Sequence, residues 1–317
     1  MSNSLSEIKV SVCVSTYNQE KYILQCLQSL ADQKTDFNFE IIVGEDCSTD
    51  STRKIVSDFS DKYPNLIVKN FHSENIGAVK NLISTYKLAK GKYICHMDGD
   101  DYALPNKLQK QFDVLESNPS CIICSHDTQL TNSYGAKLKE KAKSPRKNIN
   151  TLTDLYETLP FFAHSSKMFL NDLSSSYWHN FKPETIDIEI HVQQAKKGNI
   201  FHINENLGVY REGVGMSVQN SNKVNSLLPS ATRRVFEEAM NEGIVDSKML
   251  KKYYAKSLFN YAYQSALMGD KQGLVNYIKE SVSQCVFSKE QLAFSKLSTA
   301  PTLVISICKL RYYLQRK

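Results

Sequence analysis

Three carboxylates, Asp98, Asp100 and Asp101, crowd the stretch CHMDGDDY, directly after the apolar-leaning run KYICHM. Carboxylates packed this closely repel one another unless a positive charge sits between them. Such a knot suits three kinds of chemistry: oxygen ligation of a hard divalent cation, general acid and base work, or the capping of a helix and filling of a turn. At the end of a buried strand, on the edge where α/β sheets bind ligands, the first is favoured. Mg2+ or Mn2+ takes one or two protein carboxylates and completes its shell with water and substrate phosphates, so a nucleotide diphosphate is the matching ligand.

The elements that must hold this knot follow from the apolar pattern. IKVSVCVS, residues 8–15, is a β-rich run closed by the loop TYNQEK, and YILQCLQSLADQ then repeats apolar residues at helical spacing. The alternation recurs in FEIIVGED with STDSTRKIVSDFSDKY, in NLIVKNF with IGAVKNLISTYKLAK, and in KYICHMD with PNKLQKQFDVLES. Strand and helix in alternation predict an α/β fold with a mostly parallel sheet, flanking helices and right-handed crossovers. The carboxyl ends of these strands carry Ser15 to Asn18, Glu45 to Asp50 and Asp98 to Asp101, so three polar clusters converge on one crevice.

Further along, residues 130–165 are basic with Gly and Pro and read as a mobile loop beside the site. SSKMFL reads as a strand, TIDIEIHVQQAKKG as a helix ending at Gly198, and NIFHIN and LGVYRE as two short strands that close the domain. From about residue 222 the pattern is helical throughout, which divides the chain into a catalytic domain, 1–220, and a helical C-terminal region, 221–317.

The 317 residues are 41% hydrophobic and 23% charged, a balance that fits a globular protein and excludes a disordered or fibrous one. The net charge of +6 is concentrated after residue 221, where 15 Lys and Arg face 7 Asp and Glu. Eight cysteines, several inside apolar runs, read as free thiols, and CIIC reads as a structural strand rather than a metal or redox pair. The first residues lack a basic region followed by an apolar run, and no stretch approaches the roughly 20 apolar residues of a membrane span, so a cytoplasmic location is expected. There is no G-x-x-x-x-G-K-[ST] loop, no G-x-G-x-x-G after the first strand and no G-x-S-x-G elbow, which sets aside phosphate-loop nucleotidases, Rossmann dehydrogenases and serine hydrolases. Without aromatics interleaved on a basic strand face, nucleic acid is not an expected partner.

VSVCVSTYNQEKYILQCLQSLADQ, FEIIVGEDCSTDST, SENIGAVKN, AKGKYICHMDGDDY and PNKLQKQ, in this order and spacing, resemble the successive blocks of the family 2 glycosyltransferases of GT-A fold, over about residues 8–215. The resemblance implies an inverting transferase that moves a sugar from a nucleotide diphosphate, commonly UDP, to a hydroxyl of a glycan or lipid-linked acceptor in surface polysaccharide synthesis. It implies that Thr16, Tyr17, Asn18 and Glu20 wrap the nucleotide, that Asp46 reads the base, and that Asn75, Gly77, Lys80 and Asn81 form a block in which Lys80 meets phosphate. Asp98 takes the ribose side and Asp100 holds Mn2+ or Mg2+, while Asp101 falls to a supporting or capping place. Glu45 stands where aspartate is commoner and Cys47 where glycine is. The base that takes the acceptor's proton falls on Asp187, counted back from Gly198, with Ile186 in place of the usual Glu or Gly and Glu189 as the runner-up. Arg211, in YREGVGMS, is expected near the diphosphate, and the histidine that often follows it is missing. His164, in FFAHSSKMF, reads equally as a packed histidine and as a functional one on the acceptor side. Many relatives extend glycans on lipid carriers. The tail TLVISICKLRYYLQRK, basic at Lys309, Arg311, Arg316 and Lys317, is therefore expected either to make peripheral contact with the inner face of the cell membrane or to pack on its own domain. A sugar-nucleotide-binding scaffold that keeps this fold without catalysis is the alternative from another class, and the retention of Asp46, Asp98, Asp100 and Asp187 speaks against it.

Overall fold

The computed structural model describes residues 7–138, 145–214 and 223–314. They divide into two compact units, one of residues 1–152 and 161–218 and one of residues 153–160 and 219–317.

The first unit is built on one sheet. Four strands alternate with helices as the apolar pattern predicts: β1 (Ile8–Thr16), α1 (Ile23–Ala31), β2 (Asn38–Glu45), α2 (Thr52–Lys62), β3 (Ile67–Phe71), α3 (Ala78–Tyr86), β4 (Tyr93–Asp98), a two-residue β5 (Tyr102–Ala103) and α4 (Lys107–Ser117). After them come β6 (Cys121–Thr131), β7 (Ile149–Asn150), α5 (Leu152–Glu157), which belongs to the second unit from Thr153 on, a 3-10 turn His164–Ser166, β8 (Met168–Leu170), α6 (Asp187–Ala195) and β9 (Asn199–Arg211). The sheet order is β3-β2-β1-β4-β8-β6-β9-β5, with β7 also on β9. β1, β2, β3 and β4 run parallel, whereas β8 is inserted antiparallel to both β4 and β6.

Strands buried on both faces explain the near-continuous apolar runs. On one face Val10, Val12, Val14, Ile41, Val43 and Cys95 pack with Ile23, Leu27 and Leu30 of α1, Val56 and Phe59 of α2, and Leu108 and Leu115 of α4. On the other, Tyr86 of α3 meets the rings of His96, Phe169 and Trp178 edge-on at 5.8, 5.4 and 5.6 Å. Gly44 of β2 lets α3 approach, since a Cβ there would lie 2.0 Å from Thr85 Oγ1 and 2.5 Å from Asn81 Oδ1.

Two expectations change. NIFHIN and LGVYRE are one strand, β9, because the polar stretch between them is absorbed as a bulge: Ile203 pairs with His126, Asn206 with Asp127 and Gly208 with Thr128. The segment 130–165, read as one loop, holds β7 and α5, and residues 153–160 belong to the helical unit. CIIC opens β6, and no disulfide joins any of the eight cysteines.

The second unit consists, among the described residues, of helices. α7 (Leu227–Glu242), α8 (Ser247–Met268), α9 (Lys271–Gln284), α10 (Lys289–Leu297) and α11 (Pro301–Leu314) pack around Ala262, Ala266, Leu274, Ile278, Phe294, Val304, Ile305 and Cys308. The side chains of Asp246, Asp270 and Ser288 cap α8, α9 and α10 by accepting from the amides of Met249, Gly273 and Gln291.

Candidate active site

The carboxyl ends of β1, β2 and β4 lie side by side, with Ser15 opposite Asp98 and Thr16 opposite Glu45. The first two loops are stitched to each other. Asn18, in the left-handed region at φ 52°, donates its amide to Ser48 Oγ at 3.0 Å and accepts from the Thr49 amide at 2.8 Å. Glu20 donates its amide to Asp50 at 3.1 Å and accepts from the Ser51 amide at 3.0 Å. Tyr17 stands out of this seam with 43% of its surface exposed. Asp46 is buried and accepts from the amides of Ile76 and Gly77 at 2.8 and 3.0 Å, so it ties the second loop to the opening of α3, where Lys80 is exposed. Glu45, also buried, accepts from the Ser48 amide at 2.6 Å and pairs with Arg53.

Gly99 lets the acidic loop settle on the first loop. A Cβ there would lie 2.4 Å from Gln19 Oε1 and 2.9 Å from Thr16, a buried residue whose hydroxyl donates to Gln19 at 2.8 Å. Gly99→Ala is expected to cost about 1–3 kcal/mol of stability and to weaken nucleotide binding, measured by urea denaturation and calorimetry. Wild-type stability and affinity together would refute the tight seam.

The three aspartates have separate surroundings. Asp98 accepts from Ser165 Oγ at 2.7 Å, and its other oxygen lies 3.1 Å from His96 Nε2. Asp101 is buried and accepts from the Arg211 amide at 2.9 Å, with its second oxygen 2.5 Å from the same Ser165 hydroxyl. One hydroxyl has one proton and cannot donate to both carboxylates. The arrangement closes if Asp101 is protonated and donates to Ser165, which donates to ionised Asp98. The electrostatics agree: burial, with Asp98 and Asp100 beside it, pushes Asp101 well above the usual range. Burial also works against ionisation of Asp98, but His96 and the Ser165 hydroxyl hold it below that range. Burial and the charge of Asp98 push Asp100 up to about 6.

Arg211 lies under this loop rather than over it. It is buried, donates through Nη1 to the Asp100 carbonyl at 2.9 Å and through Nη2 to Gln25, and sits between the rings of Tyr22 and Tyr102 at 4.9 and 5.0 Å. Expected near the diphosphate, it braces the acidic loop here through its amide and Nη1, and its Nε has no hydrogen-bond partner.

Asp187 opens α6. It accepts from the Ile188 amide at 2.9 Å, while Glu189 accepts from the Ile186 amide at 3.0 Å and so closes the helix start. Burial raises Asp187, and the Lys167 charge pulls it the other way. Lys167 is itself buried, donates to Gln194 Oε1 at 3.0 Å, and is lowered to about 7 by burial against the pull of Asp187 and Asp98. Three histidines run beside these carboxylates. The rings of His96 and His164 lie 3.9 Å apart, and His164 Nδ1 is 3.0 Å from His191 Nε2. Burial lowers all three.

With this geometry in view, the comparisons with known proteins are decisive. The model described as "Glycosyl transferase family 2" matches residues 11–178. The chain belongs to that family. An uncharacterized protein of Mycobacterium tuberculosis is 31% identical over 215 residues, 64% of this chain and 58% of that protein. A poly(ribitol-phosphate) beta-glucosyltransferase of Bacillus spizizenii is 31% identical over 195 residues, 60% of this chain and 28% of that protein. The chain thus spans less than two thirds of the length of these curated relatives. Residues 1–349 of Staphylococcus aureus TarS, solved with UDP-GlcNAc, share the fold at a TM-score of 0.66 and 21% identity, covering 97% of this chain and 92% of that one. This is the GT-A fold that the sequence blocks implied.

The site of this family 2 chain includes residues that sequence reasoning missed. His96 and Ser165 bond Asp98, Ser165 also reaches Asp101, Gln19 and Gln25 hold Thr16 and Arg211 beside the acidic loop, Lys167 acts on the charge of Asp187, and His191 meets His164. The all-oxygen donors of Asp98 and Asp100 suit a hard divalent cation. Asp100, raised by burial and by the neighbouring charge of Asp98, is a carboxylate whose ionisation such an ion would favour.

Proposed function

We propose that the chain is an inverting glycosyltransferase that moves a sugar from a nucleotide diphosphate sugar, with UDP as the nucleotide, to a hydroxyl of a glycan or lipid-linked acceptor in surface polysaccharide synthesis. The observation that carries this reading is the continuity between two carboxylates of different duty. Asp98 leads through His96 and His164 to His191, on the helix that Asp187 opens. In this reading a leaving-group side and an acceptor side share one end of the sheet, as a single displacement requires. The UDP-GlcNAc in the TarS structure and the poly(ribitol-phosphate) acceptor named for the Bacillus relative support the donor and acceptor classes.

In this reading Tyr17 and Asp98 contact the nucleoside, Lys80 stands beside the phosphates, and Asp46 holds the base-binding loop in place. Asp187 takes the proton of the acceptor hydroxyl as that oxygen bonds to the anomeric carbon; the bond to the diphosphate breaks and its electron pair leaves with UDP. Mn2+ or Mg2+ held by Asp100, with Asp98 beside it, would supply positive charge toward the departing diphosphate. Asp100→Ala is expected to cut transfer at least about 100-fold and to abolish the metal dependence of UDP binding, followed by UDP release and by calorimetry with and without EDTA. An Asp100→Ala protein with undiminished Mn2+-dependent UDP affinity would remove the assignment.

We further propose that the protein works in the cytoplasm at the inner face of the membrane, held by α11. Among the described residues no helix is long and apolar enough to cross a membrane. On α11, Val304, Ile305 and Cys308 turn into the helical core, while Leu303, Ile307, Leu310 and Leu314 are 50, 45, 60 and 62% exposed beside exposed Lys309. Arg311 is exposed and pairs with Glu290, and Arg316 and Lys317 lie outside the described residues. The chain is expected to float with anionic vesicles at low salt and to be released at high salt; failure to float at low salt would end this proposal.

A further inference from the structure

We propose that His164, Asp187 and His191 form a second metal site, separate from the oxygen site at Asp100, that takes a borderline divalent transition ion of the Zn2+ class. One ligand atom from each of the three residues lies within 4.8 Å of the other two. His164 Nδ1 and His191 Nε2 are already 3.0 Å apart, so a small opening of this contact brings them to the roughly 3.4 Å that separates two nitrogens on one tetrahedral zinc ion. Two imidazoles and a carboxylate are a zinc donor set, and the nitrogen donors discriminate against Mg2+ and Mn2+, which favour oxygen.

The two nitrogens that face each other are the ones an ion would take. His164 Nε2 and His191 Nδ1, buried without a hydrogen-bond partner, are the opposite nitrogens of the same rings and lie outside the site. His164 and Asp187 are only partly buried, whereas His191 is fully buried, so an ion approaches from the side of the first two.

The consequence for catalysis rests on the reading of Asp187 as the base. A carboxylate bound to Zn2+ cannot take a proton from the acceptor, so occupancy of this site switches transfer off without touching the nucleotide. The site joins the two halves of the reaction to metal identity: Mn2+ or Mg2+ at Asp100 supports transfer, and Zn2+ at the histidines opposes it.

Co2+ titrated into the chelator-treated full chain tests the site. The expected result is the visible absorption of a nitrogen and oxygen site without a thiolate charge-transfer band, kept in Asp100→Ala and lost in both His191→Gln and His164→Asn. Zn2+ should displace Co2+ at concentrations at least about 100-fold below those at which Mn2+ does. Mn2+-dependent UDP binding reports that each histidine variant is folded, and His164→Asn, at a partly exposed position, serves if His191→Gln is not. An unchanged Co2+ spectrum in the folded variant, a thiolate band, or equal displacement by Mn2+ would overturn the site. Inhibition of transfer by Zn2+ should be reversed by chelator in the wild type and absent from the residual activity of His164→Asn. If Zn2+ displaces Co2+ while transfer continues unchanged, the metal site stands and the inhibitory role falls, together with the assignment of Asp187 as base.

Discussion

Asp187→Asn is expected to lower kcat by about 10²–10⁴-fold while leaving the affinity for UDP and its metal dependence as in the wild type. Asparagine keeps the size of the side chain and an oxygen for the Ile188 amide that Asp187 now accepts at 2.9 Å. The start of α6 does not depend on the lost charge, because the Glu189 carboxylate satisfies the Ile186 amide. What disappears is the only property the amide cannot imitate, a lone pair basic enough to take the acceptor's proton. Burial raises Asp187 above the ordinary carboxylate range, so the wild-type rate should climb with pH through that raised value as the base ionises. The residual rate of the variant should lack this acid limb. The pH dependence of UDP release, with calorimetry for UDP, separates a lost base from a lost binding site. A variant that transfers at the wild-type rate with the same acid limb would transfer the role to another residue.

The repeating half of the fold was legible because its signal is local. In β1 to β4 and the helices between them, apolar spacing switches from runs to helical repeats within each 20-odd residues, and the polar strand ends fall together as parallel strands require. Asp98 and Asp100 stood out as candidates because the acidic knot falls at such a strand end, and the separation of Asp101 from them was visible as a doubt about its duty. The remaining site depends on β8, whose antiparallel insertion between β4 and β6 brings residues 164–167 against Asp98 from about 70 positions away. No periodicity announces such a neighbour. Ser165 and Lys167 fell inside SSKMFL, which was read only as a strand, with no sign of the carboxylates it meets. Arg211 was placed by its motif alone, and only the end of β9 shows that its Nη1 and Nη2 also hold the Asp100 carbonyl and Gln25. The bulge that makes β9 one strand was hidden because the polar Glu205 and Asn206 between NIFHIN and LGVYRE were read as a break.

Lys167→Met should make the protein more stable and the enzyme slower. Lys167 is fully buried, and its one hydrogen bond to a side chain is to a neutral amide, Gln194. Burial lowers it from 10.5 to about 7, against the pull of Asp187 and Asp98. Because the folded value lies below the unfolded one, the native chain holds fewer protons than the unfolded chain between about pH 7 and 10.5. The penalty of burying the charge is therefore present in full below 7, declines as pH rises, and is gone above 10.5. Methionine fits the same path without a charge, and replacing buried charge by apolar volume is worth about 1–4 kcal/mol. The expected result in urea denaturation is a gain of that order at pH 7 that shrinks toward pH 10, the wild type alone showing the rise. The cost falls on catalysis: with the ammonium gone, nothing at this position offsets the burial of Asp187, so its raised value rises further and the acid limb of the rate profile moves to higher pH. A variant that is destabilised at every pH, or that gains stability with an unmoved acid limb, would show that Lys167 is not the charge that keeps Asp187 available as a base.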